Sequence, residues 1–580
     1  MPQAIVQDTS KRYQTVAQEK ADGATYTPER LALFVADKIV EHAALSNRAS
    51  LSLLDPAIGD GELILALLQR LSGKVRARIK VRGFDTNAEA LATAASRIQA
   101  AYPQVILELS QENFLDYVLE TQNDPHTPSL FAPQDGEKFD LIIANPPYVR
   151  TQIMGAERAQ RLASSFGLSG RVDLYQAFLL AMSQVLTSEG VAGIIVSNRF
   201  MTTRGGGVLR SELRRRFDIR QVWDLGDTKL FSAAVLPAVI VAKGAQSASG
   251  NVIAFSTIYE VNDEPETHAT DPMTALGFEG VVQISDGRRF RVRHGTLDSS
   301  GGNDDIWRIT TQNGDAWLAT VERHAWNRFG DIGKIRVGVK TCADKIFIRH
   351  DWDAEFGNEK PELLRPLSTH HGAGRFRALP PKKNRAILYP HEVVEGQRRT
   401  INLDDYPKSK SYLEIHRAAL ESRSYVIEAG RKWYELWVPQ DPQAWAAHKL
   451  VFRDISERPT FWVDLEGSIV NGDCYWLITD RHDNDELLWL AAAVANSTFI
   501  EAFYDHRFNN KLYAGRRRFI TQYVEQFPLP DPALPLSQDI IANAKAIYAA
   551  NHSDAVAGLE ERLDAMVWKS FGLGVEEIGR

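Results

Sequence analysis

Over the first 240 or so residues, short unbroken apolar runs alternate with stretches whose apolar positions recur at helical spacing. The runs near 51–55, 79–84, 105–109, 139–144, 193–197 and 219–225 predict buried strands. Between them, 62–71, 87–100, 173–186 and 209–217 predict helices. An earlier helix opens at Thr27-Pro28, with Thr27 as N-cap, Pro28 at the first helical position and Leu31, Phe34, Val35 and Ile39 as the apolar stripe. Strands alternating with helices predict an α/β fold with a mostly parallel, doubly wound sheet up to about Lys243. A last apolar pair over 231–241 predicts a hairpin bent at Pro237, and the polar segment 121–137 a loop.

The pattern then changes. Residues 244–306 hold stretches rich in Asp, Glu, Ser, Gly and Thr, which predict a linker or exposed connections. Beyond Trp307 the alternation is lost, and aromatics such as Trp433, Trp437, Trp445, Trp462 and Trp476 mix with Arg and Lys. An α+β domain is expected over 307–580, closing in helices over 535–571. With residues 1–24 as a flexible arm and 25–243 as the α/β domain, the 580 residues divide as a chain too long for one core should.

Composition adds exclusions. Met1 to Lys20 is polar without an apolar centre, and no apolar run is long enough to span a bilayer, so a cytoplasmic enzyme is expected. Two cysteines, Cys342 and Cys474, cannot build a disulfide framework or a cysteine metal cluster within one chain. His370-His371 reads as a surface loop, with no carboxylate or cysteine at ligand spacing. The net charge of −7 argues against a generally basic coat but leaves local clusters such as Arg516-Arg517-Arg518.

Chemistry concentrates at two strand ends. After the strand at 51–55 comes Pro56-Ala57-Ile58-Gly59-Asp60-Gly61, a glycine turn leading into a helix, as in nucleotide-binding α/β folds. Asp85 ends the next strand, where an acid can accept both hydroxyls of a ribose. After the strand at 139–144 comes Asn145-Pro146-Pro147-Tyr148. Two prolines stiffen this exit, presenting the Asn145 amide, the Pro146 carbonyl and the Tyr148 ring at the edge where open α/β sheets bind ligands. Two acceptors and a flat face suit a planar ring with an exocyclic amine, such as adenine.

Taken in order, Tyr-Thr-Pro, Asp-Pro-Ala-x-Gly-x-Gly, the acid after the second strand, Asn-Phe-Leu and Asn-Pro-Pro-Tyr resemble the gamma-class N-6 adenine DNA methyltransferases of restriction-modification systems, over about residues 24–243. Further on, 335–341 with 345–348, 495–497 and 523–530 resemble a TaqI-type specificity domain. The resemblance implies a Rossmann-like catalytic domain with S-adenosylmethionine over Asp55, Pro56, Ala57, Gly59 and Gly61. Thr27 would lie near its methionine part, Asp85 on the ribose hydroxyls, and Asn113 and Phe114 at its adenine, with Pro147 also lining the cofactor site. Asn113 stands where the family usually has aspartate. Asn145 and the carbonyl of Pro146 would accept from the target amine, Tyr148 would stack on the flipped base, and Phe231 would form a second aromatic wall. Double-stranded DNA would be the partner, its phosphates met by Lys340, Lys345, Lys511, Arg516, Arg517 and Arg518. No metal is implied, and a monomer is expected, with a separately encoded endonuclease as a possible companion.

Three rivals remain open at this point: a methyltransferase of RNA or of a protein glutamine, an NAD-dependent oxidoreductase, and a non-catalytic specificity subunit. The oxidoreductase leaves Asn-Pro-Pro-Tyr unexplained and lacks a third glycine in the turn. The subunit leaves two complete-looking pockets without a use, and a large aromatic and basic second domain favours duplex DNA as substrate.

Overall fold

A computed structural model of the chain describes residues 27–45, 48–75, 78–122, 137–148, 156–168, 173–231, 236–244, 252–298, 306–479, 485–508, 516–551 and 555–574. The chain forms two compact units that divide between Thr311 and Gln312.

In the first unit, β1 (Ser50–Asp55), β2 (Arg78–Phe84), β3 (Ile106–Ser110), β4 (Phe139–Ala144), β5 (Leu186–Ser197), β6 (Phe217–Asp224) and β7 (Pro237–Gly244) lie in the order β3-β2-β1-β4-β5-β7-β6. The first five are parallel neighbours, and β7 enters antiparallel between β5 and β6. Alternate residues of each strand feed opposite layers. Leu51 and Leu53 of β1 with Leu141 and Ile143 of β4 join the core under α1 (Glu29–His42), α2 (Glu62–Leu71) and α3 (Ala88–Ala101). Leu54 and Ile142 join the other core, beneath α4 (Phe114–Gln122), α5 (Ala156–Phe166), α6 (Leu174–Val185) and α7 (Gly207–Arg216). Strands covered on both faces are mostly apolar, which is why β4 and the second half of β5 read as nearly unbroken runs, whereas β2 carries Lys80 and Arg82 and the edge strand β3 is only half-buried.

The register of β1 on β4, Leu53 with Leu141 and Leu54 with Ile142, brings the carboxyl ends of both strands to one edge. The residues after Asp55 and those after Ala144 therefore leave the sheet side by side. The two sequence motifs become one site.

Three expectations are corrected. The first helix begins at Glu29, with Pro28 extended at its cap and no side chain capping it, so Thr27 is free of that duty. Pro237 does not bend a hairpin over 231–241, whose residues 232–235 lie outside the described residues: it opens β7, which pairs with β5 and β6, and a proline at a strand's first residue gives up little pairing. The linker over 244–306 is instead an extension of the sheet. Here β8 (Ala254–Glu260) pairs parallel with β6, and β9 (Thr267–His268), β10 (Gly280–Gln283), β11 (Arg289–Asp298) and β12 (Arg308–Thr310) continue beyond it. Phe290 and Val292 are buried while Arg289, Arg291 and Arg293 alternate with them, a period of two obscured by the polar turns around it.

The second unit holds a four-stranded antiparallel sheet of Gly333–Val337, Cys474–Thr479, Lys449–Arg453 and Phe461–Asp464, in that order. The expected closing helices are Pro535–Ala550 and Ala555–Ser570. Among the described residues no single helix is long and apolar enough to cross a membrane.

Candidate active site

The floor of the site is the turn after β1. Asp55 is fully buried; its Oδ1 accepts from the Ala57 amide at 3.0 Å, while its Oδ2 is buried without a hydrogen-bond partner. Burial raises its pKa more than the Ala57 N–H lowers it, and the Asp85 and Asp60 charges raise it further, to about 8. Gly59 and Gly61 have φ of +53° and +86°, the left-handed region in which a side chain is strained. A Cβ on Gly61 would also lie 3.2 Å from that of Ala94, so the glycine lets the turn lie on α3, whereas over Gly59 the space is open. Asp85 binds this turn from the next strand, its Oδ2 accepting from Gly59 N at 3.0 Å and its Oδ1 from Asn87 N at 2.8 Å.

At the adjacent strand end, the Asn145 side chain is fixed at both ends. Its Nδ2 donates to Thr27 Oγ1 at 3.0 Å, and its Oδ1 accepts from the Tyr148 hydroxyl at 3.1 Å. The Tyr148 ring lies 6.2 Å from that of Tyr175, and burial, then the neighbouring Tyr175, pushes its hydroxyl pKa up, so it stays a neutral donor. Pro146 is buried and Pro147 half-buried beside them. This edge carries acceptor oxygens and aromatic faces, and the Asp55 carboxyl waits next to it.

Other expected residues are already engaged by the protein itself. Phe114 is part of the core, its ring 5.5 Å from Phe84 and 5.8 Å from Phe178, so it does not present an open face. Asn113 caps α4, its Oδ1 accepting from Leu115 N at 2.9 Å, which leaves one lone pair of that oxygen for a ligand. Phe231 is buried in the core on the α1 face, whereas Tyr148 packs against the core of the opposite face. The signal for Phe231 as a second aromatic wall was the family resemblance of Leu230-Phe231-Ser232 alone. Tyr175 was missed because it sits in a uniformly apolar helix without a motif.

In the second unit, Arg517 is corrected from phosphate contact to structural ion pair. It is 9% exposed, its guanidinium is bidentate to Asp505 at 2.8 and 2.9 Å, and it also reaches the Glu457 carbonyl and Glu501. Arg518 is likewise bidentate to Asp454, at 3.0 and 3.2 Å. Lys340, Lys345 and Arg516 are exposed, and Lys511 lies outside the described residues. His370 does find a carboxylate, Asp473, brought from across the unit, but no group of three or more metal-ligating side chains exists among the described residues.

A parallel sheet in this strand order, with a glycine cradle and an orphaned acid beside an Asn-Pro-Pro-Tyr exit, defines an S-adenosylmethionine-dependent methyltransferase. Residues 35–231 match the family of Eco57I restriction-modification methylases, and residues 395–529 match the TaqI-like C-terminal specificity domain. The chain is 37% identical over 576 residues to the type II methyltransferase M.BanIII of Aneurinibacillus aneurinilyticus, covering 96% of this chain and 98% of that one. It is 24% identical to M.BstVI of Geobacillus stearothermophilus, over 88% and 90% of the two chains. Its fold resembles that of the type IIL restriction-modification enzyme MmeI, solved in complex with DNA: TM-score 0.57, 13% identity, 93% of this chain and 72% of that one. The chain belongs to the type II DNA methyltransferases of restriction-modification systems.

Proposed function

We propose that this enzyme methylates the exocyclic N-6 amine of an adenine flipped out of duplex DNA, protecting host sites from a separately encoded endonuclease. The observation that carries this reading is the pair of acceptors after β4, the Asn145 Oδ1 and the Pro146 carbonyl, held beside the cradle after β1. Asp55, the backbone of 56–61 and Asp85 fit S-adenosylmethionine, since the unpaired Asp55 oxygen needs a donor or cation and the space over Gly59 is open. When bound, the cofactor supplies an electrophilic methyl on a sulfonium. The protein's part is placement and charge. Two oxygens aimed at an amine fix its nitrogen and favour the positive charge that develops as it attacks, so alignment and electrostatic complementarity account for the rate. No residue need take the proton beforehand, and no covalent enzyme intermediate is required. Tyr148 offers its ring to the extruded base, which must leave the stack for its amine to be reached.

The test offers tritiated S-adenosylmethionine with duplex DNA, transfer RNA or a cell-protein extract. Label entering only DNA, and lost with Asn145→Ala while cofactor binding persists, is the expected result. Label in RNA or protein would replace the substrate and keep the cofactor.

A further inference from the structure

We infer that Thr27 is a positioning residue for methyl transfer, acting through Asn145 by holding its amide with the oxygen, not the NH2, towards the incoming amine; this rests on the proposed function. A primary amide is nearly symmetric in shape, yet its two ends are opposite in chemistry. If Asn145 were turned about its last torsion, an NH2 would face the substrate's NH2, and neither could accept. Something must choose the end, and Asn145 has a hydroxyl on each side, Tyr148 at Oδ1 and Thr27 at Nδ2.

A phenol gives its proton more readily than an aliphatic alcohol, so the Tyr148 contact favours the oxygen on its side. The base is expected to take over that position when it stacks on Tyr148, and the tyrosine bond then no longer sets the amide. Thr27 remains. Its Oγ1 accepts from Nδ2 at 3.0 Å from the far end of the amide, clear of the acceptor the substrate needs. Two features point to this use of the hydroxyl. It sits at the start of α1, where a threonine ordinarily caps, and does no capping. It also lies 118 residues from Asn145, so the bond exists only because α1 packs on the strands that carry the motif.

Thr27 therefore matters to rate rather than to cofactor affinity, in contrast to a threonine that serves the methionine part of the cofactor. Wild type, Thr27→Val and Thr27→Ser would be compared in single-turnover methyl transfer at saturating cofactor and DNA, with dissociation constants for both ligands and melting temperatures measured alongside. Thr27→Val keeps the shape and removes the acceptor; a loss of roughly tenfold in rate is expected, the size of one hydrogen bond. Cofactor and DNA affinities should stay within about twofold, and Thr27→Ser should restore the rate. In an Asn145→Asp background, whose carboxylate has no wrong end, Thr27→Val should add little further loss. An unchanged single-turnover rate in Thr27→Val, a loss appearing in cofactor affinity alone, or failure of serine to rescue a folded protein would overturn the inference while leaving the proposed function standing. Absence of transfer to DNA by the wild type would overturn both.

Discussion

At the residue scale, the end of β4 offers neutral groups, while the turn after β1 gathers the carboxyls of Asp55, Asp60 and Asp85. Asp55 is a buried acid whose pKa of about 8 is set first by loss of water and then by the nearby Asp85 and Asp60 charges. An acid that is harder to ionise folded than unfolded favours folding most at low pH, below its ordinary value near 3.8, and that advantage is lost as pH rises through about 8. Without cofactor, the stability of wild type relative to Asp55→Asn should therefore fall between about pH 4 and 8 and flatten above. Thermal melts of both proteins across that range would show it; parallel profiles would contradict it. Cofactor affinity should move the other way, rising with pH towards 8 as the carboxylate becomes available to a cationic ligand. Both site motifs were legible at this scale because proline, glycine and asparagine fix backbone and polarity locally. What was not legible was how a residue spends its hydrogen bonds. Thr27 reads as a cap and instead holds Asn145, and Asn113 reads as a ligand contact and is already capping α4.

At the element scale, the two motifs act together because β1 and β4 are neighbours in register, and because α1 lies close on the sheet. Gly193 in β5 makes that approach possible: a Cβ there would fall 2.6 Å from Ile39 Cγ1 and 2.8 Å from Val35 Cγ1. Gly193→Val should push α1 outward and destabilise the unit by about 1–3 kcal/mol or more, as overpacked cores do. Chemical denaturation measures the loss, and an unchanged midpoint would show that α1 is not pinned there. A buried network ties the far side of the same edge: Asn198 Nδ2 donates to Asp224 Oδ1 at 2.9 Å, and the Tyr259 hydroxyl donates to Asp224 Oδ2 at 2.6 Å, joining β5, β6 and β8. The parallel strands were readable as mostly apolar runs. The extension β8–β12 was not, because β11 alternates arginine with apolar residues, β9, β10 and β12 are short, and the polar loops among them resemble a linker in composition.

At the scale of the whole molecule, a catalytic unit is followed by one matching a specificity domain, and charge must be sorted by what each side chain already holds. Arg517 joins segments of the second unit through Asp505, Glu501 and the Glu457 carbonyl, so Arg517→Ala removes charge-assisted hydrogen bonds to half-buried carboxylates and should cost about 1.5–3 kcal/mol of that unit's stability. Lys340→Ala, Lys345→Ala and Arg516→Ala should leave folding intact and each reduce the slope of DNA affinity against salt by about one ion if the side chain meets a phosphate. Fluorescence anisotropy over a salt series separates the two kinds of residue; an undiminished slope would remove that lysine or arginine from the interface. Triplets of arginine look alike in sequence, and only the fold distinguishes Arg516 from its two paired neighbours. The central claim concerns one atom, and the most direct measurement is mass spectrometry of nucleosides from duplex DNA treated with the enzyme and cofactor. Accumulation of 6-methyladenine, abolished by Asn145→Ala, is the predicted result, whereas methyl groups found only on cytosine, or on no nucleoside at all, would contradict the account.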